Sequence, residues 1–129
     1  MMTTTIHQEV VFPVSPERVY EALIDDRKHG EFTGAPATIS REAGGEFSTY
    51  GGAIQGRNIE LVPNRRIVQA WRVNDWGEGV YSVVRYELHP EGSNTRLVLD
   101  HAAFPDTQKS HLESGWHAQY WEPLGRYLA

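Results

Sequence analysis

Residues 109–128 read KSHLESGWHAQYWEPLGRYL, and within them Leu112, Trp116, Tyr120, Leu124 and Leu128 fall at every fourth position. That spacing gathers five large apolar side chains on one side of an α-helix, with Tyr127 completing the stripe. It predicts one long helix over 108–128. Asp106 or Thr107 suits its N-cap, and Ser110 with Glu113 has capping-box spacing as a rival start. Pro123 lies inside the pattern, so the helix is expected to bend there or lose one hydrogen bond. A helix this aromatic on one side needs a large apolar surface to cover it.

The residues before it supply that surface. From Ala37 to Ala102 the signals are all strand and turn. Glycine pairs at Gly44-Gly45 and Gly51-Gly52, with Gly56 close behind, punctuate short runs of alternating character. The expected strands are Ala37–Arg41, Glu46–Tyr50, Gly56–Leu61, Arg66–Val73, Tyr81–His89 and Thr95–His101. Turn chemistry joins them at Pro63-Asn64, Asn74-Asp75-Trp76-Gly77 and Pro90-Glu91-Gly92-Ser93-Asn94. Connections this short make antiparallel neighbours, because a parallel crossover needs about a dozen residues. The expectation is a glycine-curved meander.

Further upstream, Gln8–Pro13 is a β-rich segment ending at proline. A helix start follows: Ser15 as N-cap, Pro16 in the first turn and Glu17 at the positive end of the dipole. Val14 and Val19 have the spacing of a hydrophobic staple, and Tyr20, Leu23 and Ile24 continue the stripe. This helix is expected to stop near Asp25-Asp26, with Gly30 ending any continuation. The assembled order is strand, helix, six strands, long helix. One apolar sheet face and one apolar helix stripe then need each other to escape water. The class is α+β: a curved antiparallel sheet wrapped around the C-terminal helix, as a single domain over residues 8–128.

Composition fits an ordinary globular protein. The chain has 129 residues, enough to bury roughly two-thirds of its unfolded surface without a disulfide or structural metal. Its net charge of −5 argues against nucleic acid or an anionic membrane as the main partner. The absence of cysteine excludes a thiol nucleophile, an iron–sulfur cluster and any cysteine-ligated zinc. Met1–His7 holds no apolar run of signal-peptide length, and no stretch suits membrane insertion, so a cytoplasmic protein is expected.

Several stretches, in order, resemble one family. Gly115-Trp116-His117-Ala118-Gln119-Tyr120-Trp121-Glu122-Pro123-Leu124 is similar to the closing helix of the activator of heat-shock-protein-90 ATPase homologue family. Gly44-Gly45-Glu46-Phe47, Arg66-Ile67-Val68-Gln69-Ala70-Trp71-Arg72 and Thr95-Arg96-Leu97, then His101 and Phe104-Pro105, resemble it as well. The likeness runs from about Gln8 to Leu128. It implies the helix-grip fold of the START-like (SRPBCC) superfamily, which includes polyketide cyclases, and a cavity between sheet and helix. One departure is Phe32-Thr33-Gly34-Ala35, where family members often carry a tryptophan. The family shares no catalytic motif, so the resemblance supplies a cavity and no chemistry.

The residues themselves add little catalytic signal. The six histidines (His7, His29, His89, His101, His111, His117) include no i, i+4 pair, and no metal site or cofactor is expected. Gly51-Gly52-Ala53-Ile54-Gln55-Gly56 matches no phosphate loop and reads as a hairpin. Strand alternation places Phe47, Ile59, Gln69, Trp71, Val84, Tyr86, Leu97, Leu99 and His101 on the concave side, with Trp116 and Tyr120 covering them from the helix. Val83 and Arg85 then point outward. This set reads either as a plain aromatic core or as a partly open apolar pocket in which Gln69, Tyr86 and His101 orient a ligand. No serine–histidine–acid constellation is identifiable.

Three functions follow. The first is a non-enzymatic protein binding a small hydrophobic or amphipathic ligand between sheet and helix. The second, implied by the resemblance, is a co-chaperone module that contacts a heat-shock-protein-90-type chaperone in a stress response, here without the separate N-terminal domain of the eukaryotic activators. The third is a polyketide-cyclase-like enzyme with His101 and Tyr86 as base and acid.

Overall fold

The computed structural model describes residues 5–129. The stretch Met1–Thr4, part of the segment read for a leader, lies outside them. β1 (Thr5–Phe12) leads into α1 (Pro16–Ile24), where the Ser15 hydroxyl accepts from the Arg18 N–H at 3.4 Å as the N-cap requires. The chain does not leave the helical path for good at Asp25. That residue ends α1 and its carboxylate accepts from Lys28 N–H at 3.0 Å, starting α2 (Asp26–Thr33). Gly30 sits within α2, where a Cβ would press to 3.2 Å on the Ala35 carbonyl. The true stop is Gly34, left-handed at φ 74°, a conformation that disfavours a side chain.

Six strands follow: β2 (Thr38–Ile39), β3 (Glu46–Thr49), β4 (Ile54–Val62), β5 (Arg66–Val73), β6 (Ser82–Glu91) and β7 (Asn94–Ala102). The sheet order is β1-β7-β6-β5-β4-β3-β2, antiparallel throughout, so the meander holds and β1 returns beside the last strand. β2 is much shorter than expected. β4 starts two residues early, and Gly56 is required within it. A Cβ there would collide with the Ala70 carbonyl and the Phe47 ring.

One face assignment is corrected. The β4–β5 register slips between Asn58 and Glu60, a bulge that breaks the alternation. Asn58 is therefore buried and Ile59 turns outward, 52% exposed. Asn58 is held by its amide donating to the Ser40 and Glu42 carbonyls at 2.7 and 3.2 Å, and it accepts from Gln69 at 3.1 Å.

The C-terminal helix is not one uniform α-helix. A short 3₁₀ turn (Asp106–Gln108) enters α3 (Lys109–Trp116), a π-helical turn covers His117–Trp121, and α4 (Glu122–Leu128) closes the chain. No side-chain cap forms at its start, and the Ser114 hydroxyl instead bonds back to the Ser110 carbonyl at 3.1 Å. The predicted stripe is nonetheless buried at all five positions. The π turn adds a sixth: its wider winding brings Trp121 under Trp116, with ring centroids 5.5 Å apart and planes 18° from parallel.

Candidate functional site

His101 anchors the middle of the grip. It projects from β7 and is fully buried. The Trp116 indole N–H donates to His101 Nδ1 at 3.1 Å. An indole can only donate, so Nδ1 carries no proton and the proton sits on Nε2. Nε2–H then donates to the Ser82 hydroxyl at 2.8 Å, which donates to the Trp71 carbonyl at 2.8 Å. Every proton in this chain from helix to sheet is assigned. Burial pushes the His101 pKa down to about 3, keeping the ring neutral. With both nitrogens committed, His101 works as a fastener and has no free lone pair for a substrate proton.

Around it the expected lining is packed. Val84, Leu97 and Leu99 are completely buried, and Tyr86 and Trp116 meet edge-on at 5.9 Å. The space between sheet and helix shrinks here to about 10 Å³, bordered by Phe47, Gln69, Trp71, Tyr86 and Tyr120. That is the room of about one water molecule. Two more polar side chains border it, His29 from α2 and Thr49 from β3. His29 Nδ1 and Thr49 Oγ1 are both buried without a hydrogen-bond partner in the protein. Thr49 lies close to the Tyr120 phenol but outside hydrogen-bonding geometry with it. Desolvation lowers the His29 pKa to about 4 and raises those of Tyr86 and Tyr120.

The open space lies further along the helix. A cleft of about 540 Å³ opens to solvent between the facing ends of β4 and β5 and the α3–π segment. Tyr50, Ala53, Ile54, Trp71 and Val73 form its sheet side. Leu112, Gly115, Trp116, Ala118 and Tyr120 form the helix side, with His111, Ser114 and Gln119 among the polar groups. Tyr50 reaches across it. Its backbone is left-handed at φ 51°, uncommon for a tyrosine, and its hydroxyl donates to the Gln119 carbonyl. Burial raises the Tyr50 pKa to about 12, so the hydroxyl keeps its proton at neutral pH.

Of the residues expected to line a cavity, Trp71, Trp116 and Tyr120 face this cleft. Phe47, Gln69 and Tyr86 border only the small inner void, while Val84, Leu97, Leu99 and His101 sit in the core. Ile59 faces solvent. Sequence reasoning missed Tyr50, Ile54 and Val73, which lie at strand ends where alternation gives no depth. It also missed His29, because α2 was not expected. Among the described residues, no group of three or more histidine, aspartate or glutamate side chains converges as a metal site. None of their helices is long and apolar enough to cross a membrane.

A curled seven-stranded antiparallel sheet gripping a C-terminal helix, with two short helices between its first two strands, is the helix-grip fold of START-like proteins. The profile of the family "Activator of Hsp90 ATPase homolog 1-like protein" matches residues 13–129, and the chain belongs to that family. It is 35% identical over 115 residues to the activator of 90 kDa heat shock protein ATPase homolog of Dictyostelium discoideum, covering 88% of this chain and 30% of that protein. It is 30% identical over 122 residues to activator homolog 2 of Mus musculus, covering 95% of this chain and 37% of that protein. The chain thus spans about a third of the length of these relatives. Among solved structures, an HSP90 activator from Plasmodium falciparum superposes with a TM-score of 0.90 at 26% identity, over 96% of this chain and 95% of that one.

Proposed function

We propose that this chain is a non-catalytic, cytoplasmic binding protein that holds a small apolar or amphipathic molecule in the cleft between the β4–β5 ends and the C-terminal helix. The observation that carries this reading is the cleft itself. Its volume of about 540 Å³ lies in the range of small-molecule sites, and its walls are aromatic and aliphatic with polar groups among them. The packed interior around Val84 and His101 offers no comparable space, so the ligand sits at the end of the grip and not along its length.

Gly115 provides the test. It lines the cleft from α3, and a Cβ there would meet nothing within 4 Å. Gly115→Phe therefore fills the cleft without disturbing the core. Nile red, a neutral apolar dye, is expected to bind the parent with about micromolar affinity and to quench Trp71 and Trp116. The variant is expected to keep its stability and lose at least about tenfold in affinity. Unchanged dye binding by a folded Gly115→Phe protein refutes the site.

A second reading, contact with a heat-shock-protein-90-type chaperone, is supported by the relatives, whose names record activation of that ATPase. The chain corresponds to only about a third of them, so we expect little stimulation by it alone. A several-fold rise in steady-state ATP hydrolysis by such a chaperone, on adding this protein, would put this reading first.

A further inference from the structure

Trp71 and Tyr120 border both the open cleft and the small inner void, so the two spaces share a wall. On its inner side stand His29 Nδ1 and Thr49 Oγ1, buried and without a partner in the protein. Buried polar groups in native proteins are nearly always paired, and an unpaired one calls for an explanation. These two sit on different elements, α2 and β3, and border one void. We propose that they form an inner subsite of the cleft for the polar end of an amphipathic ligand, whose apolar body lies in the cleft. The proposal rests on the cleft being the ligand site.

The void defines the chemistry of that end. At about 10 Å³ it admits one oxygen atom and no bulkier group. No residue around it is charged at neutral pH, since burial holds His29 neutral. Leu23, Ile39 and Phe47 are apolar, and the Gln69 amide nitrogen donates to Asn58. A carboxylate or ammonium there would be buried without a counter-ion, which is strongly unfavourable. A single hydroxyl is the matching group, because it can donate to His29 Nδ1 while accepting from Thr49. The ligand class is therefore a long apolar alcohol. Seating it requires the Tyr120 side chain, carried by the π turn, to swing out of the shared wall so that the carbon bearing the hydroxyl can pass.

Displacement of Nile red from the full chain at pH 8 by 1-decanol, decanoate and decylammonium tests this. Decanol is expected to compete at least about tenfold better than either ion. Desolvation alone also favours the alcohol, so Thr49→Val is the decisive arm. It preserves shape, removes the hydroxyl, and is expected to weaken decanol about tenfold while leaving Nile red unchanged. Thr49→Ser keeps the hydroxyl and is expected to keep the preference. Equal decanol affinity in the parent and Thr49→Val overturns the inner subsite, and if Gly115→Phe still abolishes dye binding, the cleft reading survives. Absence of Nile red binding to the parent removes both.

Discussion

The Tyr50 hydroxyl donates to the carbonyl of Gln119, the residue four positions before Pro123. In an α-helix that carbonyl would accept from the N–H of residue 123, and proline has none. Gln119 lies in the π turn just before Pro123, a residue that brings no N–H, and Tyr50 supplies this carbonyl with a donor from the opposite wall of the cleft. Removing the hydroxyl with Tyr50→Phe is expected to cost about 1 kcal/mol in urea unfolding. With Pro123→Ala present, the turn can relax to α-helical spacing, in which the residue 123 N–H meets the Gln119 carbonyl, so the same change is expected to cost less. A double-mutant cycle with no coupling would show that the two are independent.

Acid stability depends on two buried rings. The pKa of His29 is lowered to about 4 and that of His101 to about 3, both by desolvation, against an ordinary value near 6.5. Below pH 6.5 the unfolded chain takes up these protons and the folded one resists, so stability falls with acidification until the folded values are reached. Each ring contributes a slope of up to about 1.4 kcal/mol per pH unit in that window. The exposed His7, raised by its hydrogen bonds to Asp100 and Glu9, acts in the opposite direction. Urea midpoints are expected to drop steeply from pH 7 to pH 5 and less steeply in His101→Gln. An unchanged slope in that variant would mean that His101 is protonated in the fold.

Trp116 is 2% exposed and carries the donor that fixes the His101 tautomer. Trp116→Ala is expected to lose about 3–5 kcal/mol, through the cavity and the orphaned Nδ1. A loss under about 1 kcal/mol would mean that the helix does not close on the sheet.

A variant at Val84 distinguishes the core from the cleft. That residue is fully buried, so Val84→Phe is expected to overpack the interior and cost about 1–3 kcal/mol. Dye binding by the folded fraction is expected to persist, because Val84 does not line the cleft. A stable Val84→Phe protein that has lost dye binding would move the ligand into the interior.

The grip was legible because its signals are periodic. The fourfold stripe from Leu112 to Leu128 and the glycine-bounded strands specify a helix on an antiparallel sheet without reference to any distant contact. What escaped depends on single departures from periodicity. Alternation assigns Ile59 inward, and its place as the unpaired residue of the bulge between Asn58 and Glu60 reverses it. Trp121 fell off the α-helical stripe, and the π turn returned it to the core. Asp25 reads equally as a stop or a cap, and it serves as both. The cleft lies at strand ends, where a face is not a depth, so alternation puts Trp71 and Val84 on one face and cannot tell that only Trp71 borders open space.

The pairing of β1 with β7 has a consequence for biosynthesis. Thr5 meets Ala102 and Phe12 meets Thr95, so the strand translated first has its partner among the last residues of the sheet. While β2 to β6 emerge and zip locally, β1 waits with an unpaired backbone and a buried-to-be Ile6 and Phe12 in the open. Long-range pairing of this kind is slow to form and vulnerable until it does. A nascent chain halted before Asn94 is therefore a natural client for a holdase.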